Sequence, residues 1–307
     1  MLRALESLVL MAALLLYSGC AHPYDTPPGT IARIGNVPIT QREFDQYVRS
    51  GWAGADMDEV RTNQAARTTT MESFFDLKVL AAKARQEGID QEPTFQKASQ
   101  LMEMKLLVQA ITDRDRIKLL ELAKDPTGAG KREYMETINT EVELIPTDLA
   151  TNDAPLVLTG VIESNAVLAT LDGSPILESD FQWFLRDAFR PEQRPYVFGQ
   201  PGARIRLLNS YLSMRALEAK ARKDGLDQEA VFMDMRSVME DKLLAEFLLE
   251  RDHMMPWHLG NDEASREMMR TYLDQLRTEL DFKVVSISPT ANSFYKSSSV
   301  SMDKREP

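Results

Sequence analysis

Apolar residues recur at two spacings along the chain, and the alternation between them sets the element order. Ile31-Ala-Arg-Ile34 and Val37-Pro-Ile39 are short β-type runs split by the turn Gly35-Asn36. Thr40, followed three residues later by Glu43, forms a capping box that opens a helix through Phe44, Tyr47 and Val48. A second helix carries Met71, Phe74 and Phe75 and stops at Gly88, where glycine suits a left-handed cap. A third is predicted from about Glu92 to Arg114 and a fourth from Lys131 to Asn139, followed by an extended run from Glu141 to Ile145.

The same series then starts again. Gly88-Ile-Asp-Gln-Glu92 returns as Gly225-Leu-Asp-Gln-Glu229, and Ala82-Lys-Ala-Arg85 returns as Ala219-Lys-Ala-Arg222, both at an offset of 137. Between Gly88 and Asp115 there are 12 identities in 28 positions, where chance would give about one in seventeen. Arg132-x-Tyr134 and Arg270-x-Tyr272 extend the match at an offset of 138, so one residue is inserted. In the second copy, Leu168 to Leu171, Asp172-Gly173 and Pro175-Ile176 are the hairpin, with Leu177 in place of the Thr cap. Its third helix, Glu229 to Arg251, shows Phe232, Met235, Met239, Leu243 and Phe247 at helical spacing. A fourth helix from Glu263 to Arg277 and an extended run from Leu280 to Ile287 close it.

The expectation is therefore a mostly helical α+β chain of two tandem modules, residues 30–147 and 167–287. Each is a β-hairpin, about four helices and a closing strand. The simplest pairing sets each closing strand beside its own hairpin, and the alternative sets it beside its neighbour's. Residues 148–166 read as a linker and the Ser-rich residues 288–307 as a disordered tail.

Ala32, Gly35, Asn36, Ile39, Phe44, Lys78, Ala84, Gly88 and Asp90, with Ala169, Gly173, Ile176, Phe181, Arg215, Ala221, Gly225 and Asp227 in the second copy, carry a pattern. It resembles the N-terminal chaperone domain of the SurA/PrsA/PpiD-type periplasmic foldases, over Thr30 to about Asp115 and Val167 to about Asp252. That family usually inserts a parvulin isomerase domain after the third helix, and the short spacers from Asp115 to Arg132 and from Asp252 to Arg270 leave no room for one. The resemblance implies the client-binding half of such a foldase, present twice and without its isomerase.

The first 19 residues read as an export signal. Arg3 precedes an apolar run, Leu8 to Tyr17, too short to span a bilayer. Tyr17-Ser-Gly-Cys20 resembles a bacterial lipobox with Tyr in place of the usual Leu, which makes Cys20 the expected lipidation site. An ordinary secretory signal is the alternative. Ala21 after the cysteine resembles an outer-membrane address, and residues 20–29, rich in Pro and Gly, suit a tether.

Composition narrows the chemistry. Thirty-six Lys and Arg against 47 Asp and Glu give a net charge of −11, which argues against nucleic-acid partners. One cysteine and three histidines, with His253 and His258 five apart, do not assemble a metal site. Gly128-Ala-Gly130-Lys131 resembles a phosphate loop only faintly, lacking the first Gly, the Ser/Thr and a preceding strand. No catalytic residue, metal or cofactor is expected, and the chain reads as a non-enzyme.

Trp183, Tyr196 and Phe198 stand out because at an offset of 137 the first copy has Gln46, Glu59 and Arg61. Phe184 and Phe189 match Tyr47 and Trp52 and read as shared core. The three unshared aromatics are candidate client-binding residues. The competing reading packs them into the core or between the copies. The three prolines in 190–202 predict an irregular loop that could present them.

Together these point to an ATP-independent chaperone or assembly factor anchored by lipid at the outer membrane, facing the periplasm. It would hold extended or partly folded envelope proteins, or one dedicated partner, in an apolar cleft between helices. A structural subunit of an export machine is the alternative, and a prolyl isomerase is disfavoured by the missing domain.

Overall fold

The computed structural model describes residues 29–50, 57–151, 156, 164–254 and 262–285. The expected signal peptide, Cys20, the disordered tail, Trp52 and His258 lie outside them. In chain order the strands are β1 (Thr30–Ile34), β2 (Val37–Thr40), β3 (Ile145–Pro146), β4 (Val167–Leu171), β5 (Ser174–Leu177) and β6 (Phe282–Val284). The helices are α1 (Gln41–Arg49), α2 (Met57–Thr62), α3 (Gln64–Gln86), α4 (Pro93–Arg114), α5 (Arg116–Leu122) and α6 (Ala129–Glu141). They continue as α7 (Glu178–Ala188), α8 (Arg194–Phe198), α9 (Ala203–Lys223), α10 (Ala230–Arg251) and α11 (Glu263–Glu279). The protein is mostly helical with two small antiparallel sheets. No described helix is long and apolar enough to cross a membrane.

The elements keep the repeat. α4 begins and ends 137 residues before α10, and α2 begins 137 before α8. Both second helices run into a left-handed glycine, Gly88 at φ 76° and Gly225 at φ 77°, and then one turn of 3-10 helix. No atom lies within 4 Å of where a Cβ would sit on either glycine, so the backbone conformation, not space, selects the residue. α7 starts after Leu177 without a side-chain cap, in line with the missing Thr. Sequence reading passed over α2, α5 and α8. The segment expected to be irregular, 190–202, holds the one-turn helix α8, with Pro195 in its first turn where no backbone donor is lost.

Of the described residues, 29–42 with 281–285 form one compact unit and 43–280 the other. In the first, strand order is β2-β1-β6, with Ala32 opposite Ile39 on one side and Val284 on the other. In the second, a sheet of order β3-β4-β5 has Ala169 opposite Ile176 and Pro146. Both hairpins slip register at the same repeat position, Thr30/Ala32 and Val167/Ala169. Their closing strands also dock alike: Val285 N–H donates to Ile31 C=O at 2.9 Å, and Thr147 N–H to Leu168 C=O at 2.9 Å.

This corrects the simplest expectation. Each closing strand pairs with the hairpin of the other copy, not its own. The strands are also shorter than the extended runs suggested: Glu141 is the last residue of α6 and Glu279 the last of α11. Glu143 and Asp281, 138 apart, then turn the chain through positive φ of 48° and 51°.

The helices exchange in the same way within residues 43–280. α3 lies along α10 and α9 along α4, so each second helix packs on the other copy's third. Each also takes the other copy's fourth helix, α11 on α3 and α6 on α9, and the two third helices meet each other. Phe95 and Phe247 touch edge to face there at 5.4 Å. Met235 and Met239 pack on a buried cluster of Met102, Leu106, Leu107, Ile111, Ala221, Leu226 and Phe232, as their helical stripe predicted.

Ion pairs repeat across the exchanged contacts. Arg114 reaches Asp224 at 2.6 Å, and its equivalent Arg251 reaches Glu87. Within each copy a hydrogen bond repeats too: Tyr134 Oη donates to Asp115 at 2.8 Å, and Tyr272 Oη to Asp252 at 2.7 Å. Lys220 pairs with Glu141 at 3.1 Å, and Lys83 with Glu279. Exposed ion pairs contribute little singly, and here they recur at equivalent positions of the two copies.

The exchange predicts how a cut chain behaves. With a protease site placed in 157–163 and cleaved under native conditions, the two fragments should co-elute at the size of the intact protein and separate only in denaturant. Separation of the fragments in native buffer would contradict the exchanged packing.

Candidate functional site

The site is built on the second copy's first two helices and the first copy's third. Phe181, Phe184 and Leu185 face inward from α7, and Leu208, Tyr211 and Leu212 from α9. The Tyr211 ring lies 5.0 Å from Phe184 and 5.7 Å from Phe181. In the other half, Phe74 takes the Tyr211 position, 5.4 Å from Tyr47 and 5.6 Å from Phe44. Tyr47 and Phe184 are both buried, so these shared aromatics are core. Phe189 is half-buried against the same core.

Trp183, one residue before Phe184, turns partly away from this core. It lines a cavity of about 220 Å³ with Lys97, Gln100, Leu101, Glu103 and Met104 of α4, Asp180 of α7, and Tyr211, Arg215, Glu218 and Arg222 of α9. The Arg186 guanidinium lies 6.0 Å from the Trp183 ring. Burial pushes the Tyr211 phenol up to about 12, against the opposing pull of Arg215, so it stays neutral.

Charged side chains around the cavity are mostly turned to one another. Lys97 donates to Asp180 at 2.9 Å. Arg222 donates to Glu103 at 2.7 Å and to Glu218 at 3.1 Å. Arg215 Nε lies 3.2 Å from Glu218, and this buried nitrogen makes no hydrogen bond, while the Arg215 side chain hydrogen-bonds to Tyr211.

The equivalent place in the other half is bridged by ions. Lys78, at the Arg215 position, donates to Glu43 at 2.8 Å and to Asp241 at 2.9 Å. Arg85, at the Arg222 position, donates to Asp241 at 2.7 Å. Asp241 is 3% exposed in the middle of α10. Burial works to lower the Lys78 pKa, but Asp241 and Glu43 outweigh it and hold the ammonium above its ordinary value. At the Asp241 position the site half has Met104, 2% exposed.

The three sequence candidates fall at different places. Trp183 alone lines the cavity. Phe198, on α8, is half-buried and meets Phe189 edge to face at 5.7 Å. Tyr196, on the same helix, is 78% exposed. Lys97, Met104, Tyr211 and Arg215 were missed. The signal for them was in the repeat, where Lys78 and Asp241 answer to Arg215 and Met104.

Two larger grooves, of about 410 and 340 Å³, flank α10 beside Phe247 and beside Asp76. No group of three or more metal-ligating side chains occurs among the described residues. The phosphate-loop look-alike is the start of α6, where the Asp125 carboxylate accepts the Gly130 N–H at 3.3 Å. No family model matches the chain, and no curated protein or solved structure does.

Burial separates the candidate aromatics energetically. Tyr196→Ala should leave the urea-unfolding free energy within about 0.5 kcal/mol of wild type. Phe181→Ala, which truncates a fully buried ring, should cost about 3–5 kcal/mol. A loss of several kcal/mol for Tyr196→Ala would place that ring in the core.

Proposed function

We propose that this chain is a non-catalytic, ATP-independent chaperone or assembly factor of the bacterial envelope, held at the membrane through Cys20. It binds extended or partly folded proteins on the second copy's first helices. One observation carries the reading: the copies share a core and differ at its edge. Gln46, Glu59 and Arg61 of the first copy answer to Trp183, Tyr196 and Phe198 of the second. Of these, Tyr196 is 78% exposed, and Trp183 and Phe198 are partly so. Aromatic rings left at a surface offer contact area at little rotamer cost. The exposed Tyr196 sits on a proline-flanked single turn, which presents it without burying it.

Client holding is checked by light scattering of a chemically unfolded model protein diluted into buffer with the full chain. Aggregation should fall in proportion to added protein and without nucleotide. The Trp183→Ala/Tyr196→Ala double variant should lose most of that effect at nearly unchanged melting temperature. Unaltered suppression by the folded variant would move the client surface elsewhere.

The anchor makes a separate prediction. In a bacterial host the wild-type chain should fractionate with membranes and carry acyl chains on Cys20, and Cys20→Ser should be released to the soluble fraction. Membrane retention of Cys20→Ser would remove the anchor from the proposal.

A further inference from the structure

We propose that the cavity between α4, α7 and α9 is a carboxylate-binding subsite, with Arg215 as its donor and Trp183 as the wall along which the ligand lies. This rests on the client-holding reading and adds the chemistry of what is held: an extended polypeptide presenting an acidic side chain or a free C-terminus.

The argument is the difference between two copies of one site. In the closed half, Asp241 places a carboxylate between Lys78 and Arg85, at 2.9 and 2.7 Å. In the open half, the corresponding cations persist as Arg215 and Arg222, but the acid is replaced by Met104, whose thioether is at best a weak acceptor. Arg222 has turned to Glu103 and Glu218. Arg215 meets the neutral Tyr211 hydroxyl and, among the described residues, one carboxylate, Glu218, which its Nε faces off the hydrogen-bond line.

Charge moves the same way. The closed half sets Lys78 and Arg85 against Glu43, Asp234, Glu240 and Asp241. The corresponding positions of the open half, with Glu218 added where the closed half has Ala81, set three cations against three acids. The open site is thus two charges more positive than its counterpart, inside a chain of net charge −11. A guanidinium recognises a carboxylate better than any other side-chain partner does, because its planar fork offers paired donors. The cavity, about 220 Å³, is below the roughly 300 Å³ at which sites for whole small molecules begin. It takes one side chain or chain end, with the Trp183 ring beside it for the aliphatic stem.

Fluorescence anisotropy on the full chain tests this with two matched pairs of labelled, Phe-containing extended peptides. One pair differs by internal Glu against Gln, the other by a free C-terminal carboxylate against its amide. The acid member should bind about tenfold tighter in at least one pair, and which pair shows it tells side chain from chain end. Arg215→Met should abolish the preference. Met104→Asp, which supplies the internal acid of the other half, should abolish it as well and decides the matter if Arg215→Met fails to fold. Equal binding of acid and neutral peptides would overturn the subsite and leave the client-holding reading standing. Binding of no peptide would overturn both. A preference that survives Met104→Asp would move the subsite away from this cavity.

Discussion

The packing of each second helix on the other copy's third is the contact on which the rest of the structure depends. A chain that folded its two copies separately would need α3 to lie along α4, and α9 along α10. The links between them allow little else to be adjusted: a left-handed glycine, then one turn of 3-10 helix with Ile89 or Leu226 buried in it. Across that junction, α3 and α4 do not lie along each other. Each finds its cover in the other copy, and the fourth helices follow their own third helices across. The same junction and the same exchange thus occur in both copies. The exchange ties the stability of the halves together, because no apolar face of a third helix is buried without the opposite copy.

The exchanged contacts keep some charges in both halves and differ in others. Pairs such as Arg114 with Asp224 and Arg251 with Glu87 sit at equivalent exchanged positions and carry the same charge arrangement in both halves. Deeper in, the halves part. A buried carboxylate costs much free energy unless it is paired and hydrogen-bonded, and Asp241 is tolerated because Lys78 and Arg85 both reach it. Replacing that acid by Met104 removes a desolvated charge from the protein's own interior. It leaves Arg215 and Arg222 to find other partners. One half thereby has a seam bridged by its own buried acid, and the other has a seam with room for an outside group.

How much of this was legible in the sequence depends on what fixes each feature. Gly88 and Gly225 end their helices because only glycine enters the left-handed region without strain, and that local rule showed through. The long helices and both hairpins showed through because their apolar spacing is their own. The exchange did not: a stripe such as Phe232, Met235 and Met239 states which face of α10 is buried and not which helix buries it. The short helices α2, α5 and α8 have too few turns to display a period. The closing strands were drawn too long because Val142, fully buried at the end of α6, reads equally well as strand or helix until its partners are known.

The site shows the same division. Trp183 was found because a residue that departs from its repeat equivalent is visible without coordinates. Arg215 and Met104 also depart, but each looks ordinary alone: an arginine for a lysine, a methionine on an apolar stripe. Their meaning is joint and appears only when α4 of one copy is seen against α9 of the other. The repeat thus does more than report ancestry. It supplies an internal control, in which the closed half shows what the seam needs for its own stability. What the open half lacks by that standard is the acid of the Asp241 position, where Met104 stands, and that is the group the proposed subsite would take from outside.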